Sequence, residues 1–226
     1  MPISQGFYKK LYQWLMNETN TTVAFRPFLT NGNPYKSRIF LVGANATPSF
    51  QVGENEERIF AESLVHRELF MQLFHEQYMK APREFKGSIY FNQWLEQRGE
   101  SVIYTSLNTY QLESANDAKI AKKVDTENFA RGQQIFNEVL QEFQPEIIVL
   151  QGATTFNQFK TMYAEDLVIY NPDITKVQLL EMEGPFAEYH YVTGKKALVF
   201  VTRSMSYFGR DGKIFEQFKE NLIGIL

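Results

Sequence analysis

Four short apolar runs in this chain each end in small or polar residues that could do chemistry: Gly43-Ala44-Asn45, Ser106 with Asn108, Gln151-Gly152, and Thr202-Arg203-Ser204. These are amides, hydroxyls and one guanidinium. Amides can read the polar edge of a ligand. A guanidinium can stabilise a developing oxyanion or grip a phosphate. Ser106 and Asn108 lie two apart, so in an extended chain both project to the same side, and Asn108 can offer an amide edge that Ser106 cannot. As turn residues of a polar loop they would do neither. Arg203 has the equally simple reading of a surface cation at a strand end. Metal and thiol chemistry have little to draw on. The chain has no cysteine and three histidines, His66, His75 and His190, with no His-x-x-x-His pair, so neither a metal site nor a cofactor is expected.

The elements that must position these residues alternate. Residues 38–43, 101–106, 146–151 and 197–202 read as buried strands, continuous in apolar character as in a parallel sheet covered on both faces. Amphipathic helices are predicted over 4–17, 56–79, 88–97, 125–143, 153–163 and 214–225. Residues 107–116 read as a long polar loop, and 179–182 with 189–192 as a hairpin about Glu183-Gly184-Pro185. The alternation predicts an α/β fold: a three-layer α/β/α sandwich with a central, mostly parallel sheet, in one domain spanning residues 1–226, of which 1–35 supply an N-terminal helix and connecting segment. Ligands of such sheets sit beyond the carboxyl ends of the strands, where the four polar clusters fall.

Composition narrows the function. Hydrophobic residues make up 44% and the formal net charge is -3, which fits a globular protein and argues against strong nonspecific binding of nucleic acid. No apolar run is long enough to cross a membrane, and Met1-Pro2-Ile3-Ser4-Gln5 has no secretory-signal pattern, so a cytoplasmic monomer is expected.

The same strand ends carry a resemblance. IFLVGANATP at 39–48 resembles the first motif of the uracil-DNA glycosylase superfamily, in the Gly-x-Asn form of its mismatch-specific and single-strand-selective branches. PEIIVLQGATTF at 145–156 is similar to that superfamily's third strand and following helix. SVIYTSLN at 101–108 and VFVTRSMSYF at 199–208 stand where it carries a base-reading Asn and a His-Pro-Ser loop. The likeness in order and spacing covers residues 36–226. It implies a uracil-DNA glycosylase-like fold and a DNA glycosylase that binds a flipped or single-stranded base and hydrolyses its N-glycosidic bond.

On that resemblance, Asn45 positions the water and Arg203, near the His position, assists catalysis. Gly43, Ala44, Ser106 and Asn108 bind the base, and Phe50 stacks on it. Ser204, Ser206, Tyr207, Arg210 and Lys213 contact DNA, with Tyr207 or Phe208 as a wedge into the base stack and Lys195-Lys196 adding to a basic rim. Core packing is the competing reading for Phe50. The motifs depart from the family: Asn45 is followed by Ala46-Thr47 instead of Pro-Gly, Ser106 stands for Asn, and Thr202-Arg203-Ser204-Met205-Ser206 for the His-Pro-Ser loop. The expected substrate is therefore a damaged or modified base in preference to plain uracil. A noncatalytic nucleic-acid or nucleotide-binding descendant, and an unrelated small-molecule α/β enzyme, are the alternatives.

Overall fold

The computed structural model describes residues 4–17, 19 and 22–226. Met1 to Ile3 of the N-terminal pentapeptide, and Glu18, Asn20 and Thr21 of the polar stretch that follows the first helix, lie outside the described residues. The chain runs through α1 (Gln5–Leu15), β1 (Ile39–Ala46), α2 (Glu57–Ser63), α3 (Arg67–Leu73), α4 (His75–Lys80), α5 (Arg83–Glu96), β2 (Val102–Gln111), α6 (Ala115–Val124), α7 (Thr126–Phe143), β3 (Ile147–Gln151), α8 (Gly152–Met162), β4 (Leu167–Ile169), α9 (Val177–Glu183), β5 (Pro185–His190), β6 (Lys196–Thr202) and α10 (Glu216–Ile223).

The six strands form one sheet in the order β2-β1-β3-β6-β5-β4. The first four are parallel, so their C-terminal ends share one edge, as the sequence predicts; β5 and β4 add an antiparallel margin. Leu41, Val149 and Phe200 lie in register across β1, β3 and β6, and Phe40, one residue along, projects to the opposite face. Phe200 meets Phe218 of α10 at 6.2 Å, whereas Phe40 meets Phe143 of α7 at 6.4 Å. Helices thus cover both faces, giving the three-layer α/β/α sandwich. On the α7 side, α1 packs outermost: Phe7 and Trp14 surround Phe143, and the Trp14 indole donates to Glu138 at 2.7 Å. On the α10 side, Phe91 of α5 reaches Phe208 and Phe218.

Three expectations change. The single helix over 56–79 is broken into α2, α3 and α4. The carbonyls of Leu64 and Val65 accept from the backbone of Thr30 and Gly32, so an extended segment captures the groups that would continue the helix. The first half of the polar loop over 107–116, residues 107–111, belongs to β2, and α6 begins at Ala115. Polar side chains of that half are bonded: Thr109 Oγ1 donates to Gly132 O, and Asn108 Nδ2 to Phe129 O, both at 3.0 Å. α7 can come this close because residue 132 is glycine; a Cβ there would lie 2.1 Å from Asn108 Oδ1. Finally, residues 177–183 form α9 and not the first arm of a hairpin. The hairpin is β5–β6, turning at Gly194.

Candidate functional site

The shared strand edge gathers the four polar clusters. Gly43 pairs with Ser106, and Asn45 with Asn108, across β1 and β2. Gln151, at the end of β3, stands over Gly43: its Nε2 lies 3.2 Å from where a Cβ would be, and Ser106 Oγ lies at 3.6 Å. Gln151 is fixed from both sides, donating to Ser88 Oγ (3.1 Å) and accepting from the Met205 amide (3.3 Å). Ser88 donates in turn to the Glu84 carbonyl at 2.9 Å. Burial raises the Tyr104 hydroxyl pKa in this cluster, opposed by the Arg26 guanidinium and by hydrogen bonds from Ser88 and Gln151.

Arg203 is held in an ion pair with Glu181. Glu181, only 3% exposed, accepts from Thr202 Oγ1 at 2.8 Å, from the Arg203 amide at 2.7 Å and from Arg203 Nε at 2.9 Å. The Arg203 guanidinium also lies 5.6 Å from the Phe215 ring. It joins the end of β6 to α9, with its charge compensated. Phe50 is 2% exposed and packed with Phe70 (4.7 Å), Phe74 (5.2 Å) and Phe85 (5.4 Å); the structure thus places this intended stacking platform in the core. Against Phe50 and Phe85 lies Arg26, 4% exposed, whose guanidinium donates to the carbonyls of Pro48 (2.9 Å) and Thr47 (3.2 Å). Burial pushes its pKa down to about 10, so it remains a cation at neutral pH.

The loop after β6 divides. Ser204 caps the 3-10 turn over 205–207, donates to Glu84 Oε2 at 2.7 Å, and meets Ser206 Oγ at 3.0 Å. Tyr207 is 64% exposed, whereas Phe208 is buried against Phe91 and Phe215. From there the chain descends along α5. A Cβ on Gly87 would lie 1.8 Å from Met205 O, Phe208 meets Phe91, and Arg210 shares a cavity with Trp94 and Arg98. Those last residues lead into the start of β2, so Arg210 and Lys213 stand away from Asn45, toward the opposite edge of the sheet. Lys196, the first residue of β6, and Lys195 before it are also at that edge, where Lys196 pairs with Glu188 at 2.6 Å. The expected basic rim around the strand ends is therefore not assembled: the loop is long enough to carry its cations back past the sheet.

What opens beside the strand ends is a cavity of about 350 Å³ between α6, α7 and α8. Asn45 and Asn108 line it from the strands, Phe129 and Gln133 from α7, and Asn157, Gln158 and Thr161 from α8. Lys122 of α6 and Met162 complete it; among the described residues Lys122 is its one charged group, and no carboxylate lines it. Asn108 is held at both ends of its amide, accepting from the Tyr110 amide (3.0 Å) as well as donating to Phe129 O. Asn45 is half-buried, and its side-chain amide makes no hydrogen bond among the described residues. The volume falls in the range of small-ligand sites, and amides around one aromatic ring suit a flat, polar, uncharged or anionic group. Ala44, between Gly43 and Asn45, is half-buried at the same edge.

Sequence reasoning reached Asn45 and Asn108 but missed the helical wall. The only local trace was weak: Gln133 follows the apolar Phe129 by one turn of α7, and Asn157 and Thr161 stand one turn apart on the exposed, polar face of α8. Glu181, between Leu180 and Met182, was likewise an acid inside an apolar run. Among the described residues, no group of three histidines, cysteines or carboxylates gathers to hold a metal ion, and no helix is long and apolar enough to cross a membrane. No model of a known protein family matches the sequence, and no curated protein matches it.

Proposed function

We propose that this chain is a DNA glycosylase-like protein that takes a flipped-out or single-stranded base into the amide-lined cavity beside Asn45 and hydrolyses its N-glycosidic bond. One observation carries the reading. An otherwise unbonded Asn45 amide stands at the C-terminal end of a central parallel strand, on a cavity of about 350 Å³ walled by other amides and one aromatic ring.

Cleaving such a bond leaves negative charge on the departing base and positive charge on the sugar. Because the transition state is dissociative, a positioned water can suffice without a strong base, and Asn45 can hold that water. Lys122 and the amides of Gln133 and Gln158 are the donors that can meet the base. Arg203, compensated by Glu181, is assigned to holding the end of β6. On this reading the protein acts on DNA as a cytoplasmic monomer without a bound cofactor, and its substrate is a modified or damaged base in preference to uracil.

The test is incubation with oligonucleotides carrying a panel of modified bases, scored by abasic-site formation. Cleavage of at least one base, lost in Asn45→Ala, supports the reading. A second reading, noncatalytic binding of the same base, is favoured by the absence of any carboxylate from the cavity lining. Binding without abasic-site formation across the panel would select it.

A further inference from the structure

The second feature of interest lies toward the far edge of the sheet, at the C-terminal end of α5. There a cavity of about 340 Å³ is lined by Arg98, Arg210 and Lys219 around Trp94, with the side chains of Gln93 and Gln97. Arg98 lies on the indole face, 4.4 Å from the ring centroid, and donates to Trp94 O at 2.8 Å. A guanidinium held over a ring and tied to a backbone carbonyl in this way keeps its remaining N–H groups for a planar or tetrahedral oxyanion. Lys219 approaches the same ring to 5.7 Å, and its ammonium bonds a backbone carbonyl, Asp211 O, at 3.0 Å.

Neither arginine forms an ion pair with a carboxylate among the described residues. One acid lines the cavity, Asp211, and its carboxylate is 3.6 Å from Lys213, which is not part of the lining. Three cations and one carboxylate leave a net lining charge of 3 − 1 = +2 in a concave site. Mutual repulsion of three cations lining one cavity is relieved by an anion, and the donors match phosphate oxygens.

We propose that this cavity is a phosphate-binding site, separate from the amide-lined cavity and independent of what that cavity does. The phosphate can belong to a free phosphate compound or to a nucleic-acid backbone; the chemistry of recognition is the same, and two probes separate them.

Pyrophosphate is titrated into the full chain by calorimetry, and a short single-stranded oligonucleotide is followed by fluorescence anisotropy at several salt concentrations. Both are repeated with R98Q/R210Q/K219Q and with Arg210→Gln alone; residue 210 sits in an exposed turn, so the single variant should fold even if the triple does not. The expected result is pyrophosphate binding that weakens about tenfold or more in the triple variant and in the same direction in Arg210→Gln. If the source is a backbone, the oligonucleotide's log–log salt slope also falls, by about two for three lost contacts at ~0.7 each. Loss of pyrophosphate binding with an unchanged slope assigns the site to a free phosphate compound. No pyrophosphate binding by the unaltered protein, together with an oligonucleotide slope unchanged in the variants, would overturn the proposal.

Discussion

Gly87→Ala should be among the most damaging single-methyl additions available in this protein. Alanine is the better helix former by about 1 kcal/mol, so helix propensity alone predicts stabilisation. Packing predicts the reverse. The new Cβ would lie 1.8 Å from Met205 O and 2.7 Å from its carbonyl carbon, both backbone atoms that cannot rotate away. Reaching an ordinary contact of 3.4 Å needs a retreat of 3.4 − 1.8 = 1.6 Å. That movement pulls the Met205 amide from Gln151 Oε1 and strains the Ser204 bond to Glu84. Two hydrogen bonds at about 1 kcal/mol each, and overpacking of about 1–3 kcal/mol, outweigh the propensity gain. The net loss is roughly 2–4 kcal/mol, or a fall in Tm of about 4–16 °C for a chain of this size. Gly6→Ala is the internal control. Gly6 is also helical, but its nearest neighbour is Ser4 Oγ at 3.9 Å, so it should gain up to about 1 kcal/mol. Urea denaturation of both variants measures the contrast. Equal stabilisation by the two substitutions would show that α5 and the loop after β6 do not meet as described.

Asn45→Ala should slow single-turnover base release about a hundredfold on any base the protein cleaves, with affinity for DNA little changed, since a water-positioning amide acts mainly in the transition state; unchanged turnover would remove Asn45 from the chemistry. Glu181→Gln leaves Arg203 without its counter-charge, and because the Arg203 side chain keeps 31% exposure the cost should be about 1–3 kcal/mol, below that of a fully buried pair; a neutral outcome by urea titration would contradict the pairing. Asp125 bears on pH. Burial raises its pKa, but bonds from the Tyr110 hydroxyl and from Asn128 prevail and hold it below the ordinary value of 3.8. A depressed acid stabilises fully above its unfolded pKa and loses that contribution as pH falls through the folded one. Stability should therefore drop more steeply below about pH 4 in the parent than in Asp125→Asn, and parallel acid limbs would refute the bond to Tyr110.

The parallel core was legible because strands such as 146–151 are short, carry an unbroken apolar run from Ile147 to Leu150 and are bracketed by Pro145 and Gly152. The end of β2 was not, because Thr109 and Asn108 look like loop residues until the helix that satisfies them is known. Asn45 could be found from its place after an apolar run. Phe50 could not be assigned, since an aromatic after a turn reads the same whether it packs or stacks; only its neighbours Phe70, Phe74 and Phe85 decide. The ion pair of Arg203 was not legible for a related reason. Its partner lies 22 residues away on α9, a segment whose pattern reads as strand. The basic cavity involves Arg98 and Arg210, whose meeting depends on the route of the chain down α5 and leaves no local trace.

The strand order has a consequence for synthesis. β6 is interior, bonded to β3 on one side and β5 on the other, yet it is the last strand to be made. Until residues 196–202 have formed, β3 presents an open edge along the apolar run Ile147 to Leu150, and neither β4 nor β5 has a sheet to join. Such edges template pairing with other chains. A growing or truncated chain that stops before Lys196 should therefore be a client for chaperones and prone to aggregate, even though it already contains β1, β2, β3 and every residue of the amide-lined cavity.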